Sequence, residues 1–484
     1  MSDGPTDPHR PRVHLTPRRG WLNDPNGFVR WRGRYHLFFQ HHPTRPLWGP
    51  PEWAHVVSED LVRWRALPPA LTPAMPPADP DGCWSGSTAL IDDRPLVHYT
   101  GVRDGVQATC RAEPLDDDLV HWAKDPGNPV VHAPGHEPIT HGAFRDPFVW
   151  REGDGWRMLV GSSLDDHGAA LLHASDDGRA WRYLHPLIDP ADAPALQGHG
   201  RLWECPLLLR GHEVGGDVDL LIVGVWDLGR LSHVVAVTGR FRDDRFLPDA
   251  VHRLDHGDAC FYAPQAIARD GRWTLIGWLQ EQRPDEALLA AGWAGALSLP
   301  RELWIEAGEL RTAFAGETGT LRSDPVAVDA RGPRPLHAGH AYEARLRIER
   351  RGADGVALDL LATPDGSERT RLEVDWAAGA IVIDKSRSSS VPGPSTARQI
   401  ARHVVVGDGV DLHLQVDGSV IEAIVDERIA LSTRAYPARE DATGVRRVDA
   451  SDARVTGTIW PLTPAAPPGA LGGGGPPPSS PPRP

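Results

Sequence analysis

Three acidic residues stand in settings that could do acid, base or nucleophile chemistry. Asp24 lies in Trp21-Leu22-Asn23-Asp24-Pro25-Asn26-Gly27, Asp146 in Phe144-Arg145-Asp146-Pro147-Phe148, and Glu204 in Trp203-Glu204-Cys205-Pro206. Pro25 and Gly27 fix a tight turn, so the Asp24 carboxylate should project at a defined angle; an Asx-turn aspartate is the alternative for that motif taken alone. Glu204 has apolar flanks and opens a strand-like run, Leu207-Leu208-Leu209. Partial burial there should raise its pKa and keep it protonated near neutral pH. A merely structural glutamate at such a strand start would be expensive. Arg145 should keep Asp146 ionised and ready to accept hydrogen bonds, unless the two form a structural ion pair. A proton donor plus a carboxylate nucleophile is the pair that cleaves a glycosidic bond. One protonates the leaving oxygen and the other attacks the anomeric carbon; a separation of about 5 to 5.5 Å gives retention through a covalent glycosyl-enzyme. A third fixed carboxylate would stabilise the oxocarbenium character that develops at a ketal carbon.

These residues lie far apart in sequence, so the fold must bring them together. The first 300 residues contain a repeat that can do so. Five segments share a polar or Trp-containing motif, a short apolar strand, a turn and a second apolar strand. They begin at Asn23-Asp24-Pro25, Trp84-Ser85-Gly86, Arg145-Asp146-Pro147, Trp203-Glu204-Cys205 and Tyr262-Ala263-Pro264. With Phe28, Ala89, Phe148, Leu207 and Ala266 taken as equivalent, the spacings are 61, 59, 59 and 59 residues. Two hairpins per unit make a four-stranded blade, and five units predict a five-bladed β-propeller over residues 1–320. If each motif opens the innermost strand of its blade, Asp24, Asp146 and Glu204 converge at one mouth of the central channel. A β-sandwich with coincidental spacing is the alternative.

The period stops after Leu299-Pro300-Arg301-Glu302-Leu303. Residues 321–462 read as short alternating strands with regular turns, the pattern of a β-sandwich that supports the propeller. The charges from Asp417 to Glu422 read as lying on an exposed strand face. Residues 463–484 are mostly Pro, Gly and Ser and should be disordered, because they cannot bury enough apolar surface to offset chain entropy. The fold class expected is therefore all-β.

Composition limits the partners. The formal charge of −14 argues against a nucleic acid or an anionic membrane surface. Eighteen Trp suit stacking on sugar rings. Cys83, Cys110, Cys205 and Cys260 show no metal-ligand spacing and read as reduced core thiols. Residues 1–20 carry no apolar signal core, and no stretch approaches the roughly 18 apolar residues that span a bilayer. The expectation is a cytoplasmic protein acting on a small imported molecule.

Taken together, the three motifs resemble glycoside hydrolase family 32, the group of invertases, sucrose-6-phosphate hydrolases and fructanases. The resemblance covers about residues 10 to 460. Supporting matches are Tyr35-His36-Leu37-Phe38-Phe39-Gln40, Trp53-Ala54-His55-Val56-Val57-Ser58, Trp84-Ser85-Gly86-Ser87, Phe261-Tyr262-Ala263-Pro264-Gln265 and Gly292-Trp293-Ala294-Gly295. The resemblance implies Asp24 as nucleophile, Glu204 as acid/base and Asp146 as transition-state stabiliser. It implies that Asn23, Gln40, Ser85 and Arg145 line a fructosyl subsite, with Trp48 and Trp84 as apolar walls. It also implies a five-bladed propeller plus β-sandwich, no metal or organic cofactor, and a small saccharide substrate. The expected reaction is hydrolysis of the terminal fructofuranosyl bond of sucrose, sucrose 6-phosphate or short fructo-oligosaccharides. The alternatives are fructosyl transfer at the same site, a non-catalytic sugar-binding propeller, and an arabinan- or xylan-cleaving enzyme of similar shape. Departures from the family pattern lie on the rim: His42 stands where Asn is usual, Pro50 and Pro51 follow Trp48-Gly49, and Cys260 replaces a common Asp.

Overall fold

The computed structural model describes residues 7–74, 79–188, 196, 198–227, 229–257, 259–402 and 407–463. Nearly all of the Pro/Gly/Ser tail, from residue 464, lies outside them, as does Asp258. The described chain is nearly all β-structure, with one short α-helix, Asp285–Ala291. Among the described residues, no helix is long and apolar enough to cross a membrane.

Five sheets follow one another from Gly20 to Phe314, antiparallel except where Trp293–Ala294 pairs in parallel with the start of Gly20–Trp31. Their first strands are Gly20–Trp31, Cys83–Ile91, Ile139–Glu152, Leu202–Leu209 and Phe261–Arg269. The five equivalent residues chosen from sequence each fall in one of these strands. Turn chemistry sets the register of several hairpins. Arg32-Gly33, Asp92-Asp93, Asp243-Asp244 and Asp270-Gly271 all have positive φ at both positions, the twist that a two-residue hairpin needs. Each first strand packs against the first strand of the next sheet, and the fifth packs back against the first. Hydrogen bonds tie these neighbours. Gly86 N–H donates to Asn26 Oδ1 at 3.2 Å, Val149 N–H to Ser87 Oγ at 3.0 Å, and Cys205 N–H to Asp146 Oδ2 at 3.0 Å. Polar side chains at this centre thus satisfy backbone donors that a sheet edge would leave bare.

Two six-stranded sheets follow, from Val326 to Pro461. They share one apolar core that includes Leu346, Ile348, Leu358, Leu360, Leu412 and Leu414. The alternating pattern of strands such as Ala341–Glu349 places these residues on the inner face.

The charges of Asp417 and Glu422 are not on an exposed face; both residues are 0 % exposed. They face the first part of the chain. Asp417 accepts hydrogen bonds from the backbone N–H groups of Arg12, Val13 and His14, and the His14 ring bridges Asp417 and Glu422 at 2.8 Å each. Arg301 pairs with Glu422 and, at 2.8 Å, with Asp255. Burial alone would push His14 down, but the two carboxylates outweigh it and hold the ring up at about 9. Burial alone would push Glu422 up, but Arg301 and His14 bring it down to about 2. A strand pattern tells which face is inner, not what covers the other. Arg301→Ala should therefore cost about 3 to 5 kcal/mol of stability, because it leaves Asp255 buried without its Arg301 partner and Glu422 with His14 alone. Chemical denaturation measures this; a loss under about 1 kcal/mol would show that the network does not hold the two parts together.

Candidate active site

The five first strands are interrupted at the same place. Their pairing with the next strand slips between Leu22 and Pro25, Trp84 and Gly86, Arg145 and Phe148, Glu204 and Leu207, and Tyr262 and Gln265. Each slip bends its strand and re-aims the side chains beside it. Asp24, Ser85, Asp146, Cys205 and Ala263 sit within these slips. Asp146, Cys205 and Ala263 have positive φ, at 61°, 47° and 44°. Left-handed backbone at a non-glycine residue costs on the order of 1 kcal/mol or more and persists only where the surroundings fix it. Pro25, Pro147, Pro206 and Pro264 occupy the same turns; proline has no N–H to lose where the ladder is already broken.

The three acidic groups meet here. The Cys205 thiol lies 3.6 Å from Asp24 Oδ2 and 3.6 Å from Asp146 Oδ2. Burial and the surrounding carboxylates push that thiol far up, so it stays protonated and donates. Glu204, one residue earlier, accepts the Tyr262 hydroxyl at 2.9 Å on Oε2, and Arg145 Nε approaches its Oε1 at 3.4 Å. Asp24 Oδ2 also accepts the Ser85 hydroxyl at 2.7 Å and the Gln40 amide at 3.3 Å. Gln40 in turn contacts Ser85. Asn23 accepts Trp21 Nε1–H at 3.0 Å on its Oδ1, and its side chain also bonds Asp24. Asp146 donates its backbone N–H to Thr100 Oγ1 at 2.7 Å, and Thr100 donates to the Ser85 carbonyl at 3.1 Å.

Charge crowding is the main electrostatic feature. Burial raises Asp24; the Ser85 hydroxyl pulls it down and Glu204 pushes it up, leaving it at about 6. Burial also raises Asp146, Glu204 adds to that, and Arg145 only partly opposes it, leaving about 7. Arg145 therefore does not hold Asp146 in the ordinary carboxylate range. Sequence neighbours diverge at a strand slip, and the Arg145 side chain runs to Glu204 instead. It also lies over the Trp84 ring at 5.6 Å.

The structure brings together Asp24, Asp146, Glu204, Asn23, Gln40, Ser85, Arg145 and Trp84. Trp48 is 50 % exposed and meets Trp84 of the cluster edge to face at 5.8 Å. Gln40 Oε1, Trp84 Nε1 and Arg145 Nε are buried with no hydrogen-bond partner among the described residues. Hydroxyl groups of a polyol would satisfy these atoms. Cys205, Tyr262 and Thr100 belong to the site without having been assigned a role from sequence. Cys205 and Tyr262 were legible in one respect: each recurs at the motif position of its repeat.

Comparison with known proteins gives a family match over both parts. The model of the glycosyl hydrolases family 32 N-terminal domain matches residues 14–313, and that of the family 32 C-terminal domain matches residues 309–461. A sucrose-6-phosphate hydrolase of Zymomonas mobilis is 30 % identical over 474 residues, covering 90 % of this chain and 88 % of that protein. The structure of a sucrose-6-phosphate hydrolase from Lactobacillus gasseri superposes with a TM-score of 0.82 at 25 % identity, covering 95 % of this chain and 94 % of that one. A variant of a Bombyx mori β-fructofuranosidase in complex with sucrose has a TM-score of 0.79 at 26 % identity, covering 95 % of each chain.

Proposed function

The chain belongs to glycoside hydrolase family 32, and from that premise we propose that it is a retaining β-fructofuranosidase acting on sucrose, sucrose 6-phosphate or short fructo-oligosaccharides. One observation carries the assignment: the Cys205 thiol touches both Asp24 and Asp146, while the adjacent Glu204 is held by Tyr262 and faced by Arg145. Three carboxyl groups from three repeats are thus drawn around one centre. Asp24 attacks C2 of the fructosyl unit as Glu204 protonates the departing oxygen. Asp146 binds ring hydroxyls and offsets positive charge at C2 in the transition state. Glu204 then takes a proton from water, which attacks C2 and frees Asp24. Asn23, Gln40, Ser85, Arg145 and Trp84 position the fructosyl ring, and Trp48 stands at the rim.

The scaffold that goes with this reading is a five-bladed propeller over residues 1–320 and a β-sandwich over 321–462, followed by a tail at 463–484. The cyclic packing of the five first strands supports the blade count. The four buried, unpaired cysteines fit a reducing compartment such as the cytoplasm. The test is incubation with sucrose, followed by proton NMR of the nascent sugar. Equimolar glucose and fructose, with fructose first appearing as its β-anomer, are expected. No hydrolysis, or initial release of the α-anomer, overturns the proposal. Fructo-oligosaccharides accumulating at high sucrose would instead indicate transfer.

The acid limb of kcat/KM follows from the cluster's electrostatics. Asp24 must be ionised to attack, so activity is lost as pH falls through its titration. Asp24 at about 6 and Asp146 at about 7 share a site and titrate as a coupled set. The limb should therefore lie well above that of an ordinary aspartate. The Ser85 hydroxyl favours the ionised form of Asp24. Ser85→Ala removes that help and should move the limb upward, by about one pH unit for a hydrogen bond to a charged group. A limb that stays put or moves down contradicts the nucleophile assignment.

A further inference from the structure

We propose that His42 is a positioning residue for substrate affinity: it pins the rim loop that carries Trp48. The inference rests on the β-fructofuranosidase reading. The loop runs Pro43-Thr44-Arg45-Pro46-Leu47-Trp48-Gly49-Pro50-Pro51, between the strands Arg34–His42 and Glu52–Ser58. Pro43, Pro46, Pro50 and Pro51 have no backbone N–H, so the loop has few donors with which to hold itself. Among the described residues, no backbone–backbone hydrogen bond is made by 43–50. Its far end is fixed, because Cys83 N–H donates to the Pro51 carbonyl at 2.9 Å. Pro51 also packs on Gly82, where an added Cβ would come within 2.6 Å of the proline ring.

The near end is held by one imidazole. His42 Nδ1 lies 2.9 Å from the Leu47 carbonyl, and Nε2 lies 3.1 Å from Thr44 Oγ1. A carbonyl only accepts, so Nδ1 carries a proton and donates it to Leu47, while Nε2 pairs with the Thr44 hydroxyl. The ring also fills the space beside Gly49, where a Cβ would sit 2.5 Å from its Cε1. His42 therefore bonds both sides of the loop and abuts the residue after Trp48. With Pro51 fixed beside Gly82, Trp48 at the tip stands edge-on to Trp84 at 5.8 Å. Trp84 is followed directly by Ser85, which holds Asp24. His42 reaches none of the reacting groups itself, so its effect passes through Trp48.

The test is a kinetic cycle on sucrose with the full chain: wild type, His42→Ala, Trp48→Ala, the double variant, and His42→Asn. His42→Ala should raise KM by roughly threefold to tenfold, the effect of one or two neutral hydrogen bonds, with kcat within about twofold of wild type. In the Trp48→Ala background the same change should do little, since residues acting through one another are not additive. His42→Asn, which keeps an amide donor, should recover part of the loss. An unchanged KM, a kcat that falls in step with KM, or full additivity with Trp48→Ala overturns the inference. If the wild-type chain cleaves no β-fructofuranoside at all, the parent reading fails, which is a distinct result.

Discussion

Asp24→Asn is expected to lower kcat on sucrose by about 10⁴-fold or more while leaving the protein folded. The magnitude is that of removing a covalent nucleophile whose partners cannot act alone. The amide has nearly the shape of the carboxylate and still offers an oxygen to the Ser85 hydroxyl. It cannot form the glycosyl-enzyme. The stability change has a definite sign. Burial and Glu204 disfavour the charged form of Asp24, raising it to about 6. A carboxyl whose folded pKa lies above its unfolded value destabilises the fold at pH above that folded value. At pH 8 the neutral amide removes this penalty, so the melting temperature should stay level or rise. Loss of turnover together with unchanged or greater stability marks a residue kept for chemistry at a structural cost. Turnover near wild type, or a variant that fails to fold, removes Asp24 from the mechanism. Replacing Asn26 gives a contrast. It is also buried in the same motif, but it ties Gly86 to the Asp24 carbonyl and so should lower stability and activity together.

The repeat was readable because each sheet needs a neighbour on both faces. Units of one size stacked against one another leave a constant spacing in the chain, and Phe28, Ala89, Phe148, Leu207 and Ala266 all fall on first strands. The motifs at their heads were readable for the same reason: recurrence at one point of a repeat means convergence in space. The strand slips were not readable. They are backbone events, and nothing in a residue alphabet separates a proline that ends a strand from one that sits in a break within it. Arg145 was assigned to its sequence neighbour for want of that knowledge, and the slip sends it to Glu204. Asp417 and Glu422 were misplaced for a different reason. Their partners, His14 and Arg301, lie 403 and 121 residues away respectively. Alternation in the strand Val420–Val425 shows that Glu422 shares a face with Val420 and Ile424, but not that another part of the chain covers it.

Glu204→Gln should separate the two steps of the reaction. On sucrose the loss should be about 10² to 10⁴-fold, the usual worth of a positioned acid and base. The amide can still accept the Tyr262 hydroxyl, so the cluster should hold its shape. The loss arises because the departing glucose oxygen needs a proton as the bond breaks. An aryl β-fructofuranoside whose phenolate leaves unaided does not need one. On that substrate the first step should be nearly normal, and only the second should suffer, because water must still be deprotonated to attack the glycosyl-enzyme. The expected trace is a burst of phenolate, close to one equivalent per enzyme, followed by slow turnover. Azide attacks without losing a proton, so adding it should quicken that slow phase and yield a fructosyl azide of retained configuration. A variant equally impaired on both substrates, with no burst, would mean that Glu204 holds the site together through Tyr262 and Arg145. Proton delivery would then have to come from another group, and Tyr262 is a protonated hydroxyl already in contact with Glu204. The burst is therefore the measurement on which the division of roles between Asp24 and Glu204 rests.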